Sequence, residues 1–217
     1  MPHAVAPQTA LSPTERALLV RRGLWLNYAT IAYNTLEALV AIIAGLMAGS
    51  VSLIGFGLDS AIEVAAAGAA QWRLRSDADV KRRDRSERVT LRVIGTSFVA
   101  LAAYVLIDSG RSLWLQHRPE SSTTGIVILA LSVIIMPLLA RQKRTIAQQL
   151  ESRALHADAT QASLCAYLSA IALAGVALNA MLGWWWADPI AALLMVPIIA
   201  KEGLEGLRGE AHCATCP

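Results

Sequence analysis

Six long apolar runs divide the chain, at about residues 24–47, 51–72, 93–115, 125–140, 154–181 and 189–200, and charged or glycine-containing stretches separate them. Runs of this kind carry an α-helix across a bilayer, where only a helix or a closed barrel satisfies its own backbone polar groups. The pattern predicts an all-α membrane protein with six transmembrane helices. Residues 1–23 read as an N-terminal segment, 24–201 as the membrane domain and 202–217 as a short tail. Within the first segment, Ser12-Pro13-Thr14-Glu15 has the form of a capping box with proline at the first helical position, so a helix can begin there and run into the first span. Pro137 is expected to kink the fourth span or end its regular part. The turn at Gly45-Leu46-Met47-Ala48-Gly49 is so short that the first two spans pack antiparallel, with small residues four apart allowing close approach.

Composition sharpens this picture. With 217 residues, 55% of them hydrophobic, and a mean hydropathy of +0.48, the chain has too few charges to cover one soluble core. All of its nineteen Lys and Arg residues except Arg111 and Arg118 fall on the side of the membrane that carries both termini. By the positive-inside rule both termini are cytoplasmic. The basic stretch 73–92 is interrupted by Asp77, Asp79, Asp84 and Glu87 and has no interleaved aromatics, so it reads as a topology-setting loop and not as a nucleic-acid surface. Trp184-Trp185-Trp186 reads as an interfacial belt. The N-terminus lacks the order of a signal peptide, and Cys165, Cys213 and Cys216 do not make a disulfide framework.

Charges inside the spans carry the chemistry. Asp59 and Glu63 lie four apart in the second run, on one helical face and about 6 Å apart along the axis. Unpaired at mid-bilayer they cost about 5–7 kcal/mol together. The neighbouring apolar runs hold no Lys or Arg at comparable depth, which leaves a cation or protons to satisfy them. Glu37 in the first run must likewise face the interior or a wet cavity, while Asn34 beside it reads as an interhelical hydrogen-bonding residue. Asp108 is spaced to pair with Arg111. In the fifth run Gln161 and Cys165 form a second four-apart pair, with Asp158 one turn before Gln161. Two carboxylates, an amide oxygen and a thiolate suit zinc, cadmium or ferrous iron better than magnesium or calcium, although a buried thiol is also a common small core residue. His212-Cys213-x-x-Cys216 offers three soft donors for Zn²⁺ or Cu⁺, or else an incidental reduced thiol pair. Neither HExxH nor GxSxG occurs, so a membrane metalloenzyme is a weak alternative.

At Gly49-Ser50-Val51-Ser52-Leu53, followed by Asp59-Ser60-x-x-Glu63, the sequence resembles the cation diffusion facilitator family, with Glu in place of that family's last Asp. Ser152-x-Ala154-Leu155-x-Ala157-Asp158-Ala159 and Ala187-Asp188-Pro189 are similar to the starts of its fifth and sixth helices. The resemblance implies a secondary transporter, not an enzyme, exporting a divalent metal, Zn²⁺ first and Cd²⁺, Fe²⁺, Mn²⁺ or Co²⁺ after it, against protons. Metal is then the substrate, with no prosthetic group. It also implies a homodimer in a bacterial-type inner membrane, and here a short form without the family's C-terminal cytoplasmic domain. On that alignment Gln161 and Cys165 stand where zinc-transporting members carry His and Asp. A metal-binding sensor or partner subunit that does not transport is the rival reading.

Overall fold

The computed structural model describes residues 12–75 and 80–208, and every regular element among them is an α-helix. In chain order these are α1 (Pro13–Ala48), α2 (Val51–Arg75), α3 (Val80–Trp114), α4 (Thr123–Gln149), α5 (Arg153–Leu182) and α6 (Ala187–Arg208). α1 begins at the capping box: Ser12 Oγ accepts from the Glu15 backbone N–H, and the Ser12 backbone N–H donates to Glu15 Oε2 at 2.9 Å. It ends at Gly49, whose φ of +65° is a left-handed conformation that favours glycine. Gly45, one turn earlier, gives α2 its close approach, because a Cβ there would stand 2.9 Å from the Ile54 backbone nitrogen.

The bundle's interior is apolar but threaded by buried polar and charged side chains, and its outer face carries large exposed hydrophobic residues. On α1 the buried face carries Asn27, Thr30, Asn34 and Glu37, three or four apart, while Leu36, Leu39, Ile43, Leu46 and Met47 are exposed. Hydrocarbon favours that arrangement and water opposes it. α1 through α5 are long and apolar enough to cross a membrane. α6 falls short of that measure, because Lys201, Glu202 and Glu205 confine its apolar part to residues 189–200, yet it is a full helix packed on α3 and α5. The chain is an integral, multi-pass membrane protein.

Three helix pairs, α1 with α2, α4 with α5 and α3 with α6, make the closest packing, and α2 and α5 meet at the centre. At one end Glu120 N–H donates to the Ala48 carbonyl at 2.7 Å, and Asn179 Nδ2 donates to the Pro119 carbonyl at 2.8 Å. At the other, Arg75 Nη2 donates to Tyr28 Oη at 2.7 Å. The helices therefore alternate in direction, and both described termini share the second, basic end.

Three expectations change. α4 continues through Pro137 to Gln149, with good helix formers following the proline. The stretch 73–92 is mostly helix, since α2 reaches Arg75 and α3 starts at Val80. Asp108 accepts from Tyr104 Oη at 3.2 Å, one turn back on its own helix, and makes no pair with Arg111.

Candidate functional site

α2 and α5 deliver the central groups, α1 and α4 the flanking ones. Asp59 and Glu63 are 1% and 0% exposed, and among the described residues neither carboxylate has a hydrogen-bond partner for either oxygen. The Cys165 thiol on α5, itself fully buried, lies beside both. One turn from it, Gln161 is buried with both amide atoms unpartnered. Spacing of four residues puts each pair on one face of its helix, and Cys165 meets the carboxylates while Gln161 borders a groove with Leu91, Ile94 and Phe98 of α3.

Glu37 joins this group from α1. Its Oε2 accepts from Ser60 Oγ at 2.8 Å, its Oε1 is unpartnered, and Tyr33 and Ser132 lie close by. Ser132 on α4 accepts from Ser169 Oγ at 2.9 Å, tying α4 to α5 just beyond Cys165. Asn34, expected to bond a neighbouring helix, is instead buried with neither amide atom partnered. The interior thus holds a column of polar groups from four helices, several of them without a protein partner. Buried polar groups are rarely left so, and each such group points to something that satisfies it.

Asp158 is treated differently. Lys143 of α4, only 4% exposed, places Nζ 3.0 Å from each of its carboxylate oxygens. This corrects the expectation that no basic side chain reaches comparable depth, and it gives Asp158 a counter-cation at close range, although its Oδ2 has no hydrogen bond among the described residues. Lys143 lies beyond the fourth apolar run at 125–140, but the buried positions of α4, Met136, Ala140, Lys143 and Ala147, continue the stripe of three- and four-residue steps past Pro137. Extending the periodicity through the proline was the signal that finds it. Glu63 also feels the Lys143 charge.

Asp188 was noted only as a helix start. It is buried, and it accepts from Ser50 Oγ at 2.6 Å, Val51 N–H at 2.9 Å, Ser52 N–H at 3.4 Å and Ser52 Oγ. It therefore caps α2 from α6, anchoring the Gly49–Leu53 motif at the end away from the basic residues. Among the described residues no three His, Cys, Asp or Glu side chains converge closely enough to hold a metal ion, so Asp59, Glu63 and Cys165 face one another without closing on a point. The His212, Cys213 and Cys216 motif lies outside the described residues. A cavity of about 790 Å³ between α1 and α4 at the basic end is lined by Arg21, Arg22 and Trp25 and is separate from these carboxylates.

Fold and interior together define a class: a multi-pass helical membrane protein whose ionisable groups line the bundle core, as they do in secondary transporters. Residues 28–210 match the cation efflux transmembrane domain. The chain belongs to that family, the cation diffusion facilitators. It is 25% identical over 198 residues to Transmembrane protein 163 of Xenopus laevis, covering 91% of this chain and 70% of that protein. It is 28% identical over 112 residues to the cation-efflux pump FieF of Shewanella oneidensis, covering 51% of this chain and 37% of the pump. To the magnetosome protein MamB of Paramagnetospirillum magneticum it is 25% identical over 180 residues, 78% of this chain and 59% of MamB.

Proposed function

We propose that the protein exports a divalent transition-metal cation, Zn²⁺ first among them, by proton-coupled alternating access. Asp59, Glu63 and Cys165 bind the ion, with Gln161 and Glu37 adding oxygen donors from either side. The observation that carries this is the pair of buried carboxylates at mid-helix, all four oxygens unpartnered, beside a buried thiol. A dication would draw these groups together, and the sulfur donor favours zinc or cadmium over magnesium. Carboxylates and thiol must lose protons to bind metal, so protons returning from the far side compete the ion off. The efflux direction is supported by membership of the cation efflux family and by the pump among the relatives. Both termini are read as cytoplasmic from the basic residues at their end of the bundle, and the bilayer as a bacterial-type inner membrane. The dimer is read from the family, with membrane helices or the tail supplying its contacts.

Proteoliposomes with an imposed pH gradient test this. Wild-type protein moves Zn²⁺ against protons, and its apparent affinity rises with pH as the ligands lose their protons. Asp59→Ala and Glu63→Ala abolish the flux. Undiminished flux in both variants would end the proposal, and tight binding without flux in the wild type would make the protein a sensor.

A further inference from the structure

The buried ammonium of Lys143 has no part in binding a metal, yet it stands at the edge of the site. Arg141, Gln142 and Arg144 around it are exposed, and Lys143 alone of this basic group turns inward, to both oxygens of Asp158. Asp158 lies one helical turn from Gln161 and so borders the unpartnered column on its basic side. α4 carries Pro137 six residues before Lys143, where the chain lacks a backbone donor and one helical hydrogen bond. Above the proline, Ser132 is fastened to Ser169 of α5, and below it, besides the ion pair, an exposed hydrogen bond from Arg144 Nη2 to Ser163 Oγ at 3.2 Å spans to the same helix. Beside it, a groove of about 410 Å³ between α4 and α5, lined by Pro137, Ala140 and Tyr167, leaves room for the lower segment to shift.

We infer that Lys143 is a tethered counter-cation, a positioning residue that holds Asp158 and closes the basic end of the acidic interior until a divalent cation takes over its electrostatic role. The inference rests on the transport reading. A dication at Asp59 and Glu63 repels the ammonium, and the segment after Pro137 carries Lys143 away from Asp158. An ion pair that is purely structural would stay closed whether or not metal is bound.

Amine acetylation of the intact wild-type protein, read by mass spectrometry at Lys143 with and without saturating Zn²⁺, tests this directly. Lys201, whose side chain is 68% exposed, serves as the internal control. Lys143 reactivity rises at least about fivefold on loading, the lower end of common coupling between two sites, while Lys201 is unchanged. Unchanged or reduced Lys143 reactivity overturns the inference. Calorimetric Zn²⁺ binding to Lys143→Gln supplies a second reading: with the competitor gone, binding tightens by about fivefold or more. Unchanged or weaker binding overturns it. The double variant Lys143→Gln/Asp158→Asn keeps an amide pair in place of the ion pair, and its affinity returns toward wild type. Wild-type protein that binds no Zn²⁺ overturns the transport reading along with this one, whereas binding without Lys143 exposure overturns this one alone.

Discussion

Asp188 and Asp59 are the same chemical group, both buried in the same bundle, and the protein gives them opposite surroundings. Asp188 receives two serine hydroxyls and two backbone N–H groups at the start of α2, where the helix dipole also favours a negative charge. Asp59, two turns further along α2, receives none, and Glu63 after it receives none. A carboxylate saturated with donors is held for structure, since its charge is already spoken for by protein. A carboxylate left without donors is unfavourable to the apo fold, and its burial is explained by what it takes up. Lys143 on Asp158 lies between these cases: one mobile donor on a stem that can withdraw.

The double variant Asp59→Asn/Glu63→Gln tests the larger half of this contrast. Metal flux falls by more than about 100-fold, beyond the loss common for residues that only support metal ligands. Thermal stability holds or rises, because two buried acids without a protein partner are replaced by amides that carry no charge at any pH. A clear fall in stability would mean that the carboxylates are structural after all.

Asp188→Asn gives the opposite pair of results. Its amide nitrogen turns a donor toward donors, and stability falls by about 3 kcal/mol, the loss expected for removing charged hydrogen bonds. For a chain of this size that lowers the midpoint by on the order of 10 °C, measured by thermal denaturation in detergent. Zn²⁺ affinity of the folded fraction stays at the wild-type value. A variant as stable as the wild type would break the contrast from its other side.

The sequence revealed the acids but not how each is treated. Asp59 and Glu63 were legible because charge in an apolar run is costly wherever the helices go, and the capping box at Ser12 was legible because it is local. The length of α4 was not, because Pro137 looks like a boundary and yet lies within a continuous helix. Lys143 was misplaced for the same reason, since basic residues after a span resemble a loop until the helix is seen to continue. The satisfaction of Asp188 depends on Ser50 and Ser52, which stand more than 130 positions away in sequence and meet it only when α6 is packed on α2. Donor counts are tertiary facts, and no periodicity contains them.

Glu37 offers the finest division, because one of its oxygens is held by Ser60 at 2.8 Å and the other is unpartnered. It stands midway between Asp188 and Asp59. Ser60→Ala removes that hydroxyl and little else, costing about 1 kcal/mol of stability as a buried carboxylate oxygen loses its donor. If donor starvation is what makes a carboxylate available to a cation, the same change leaves Glu37 more available, and Zn²⁺ binding tightens severalfold, the equivalent of that 1 kcal/mol. Stability and affinity then move in opposite directions on one substitution. A purely structural Ser60 would lower both or leave affinity alone, so calorimetry and thermal denaturation on this variant distinguish the two accounts of the interior with the smallest change in it.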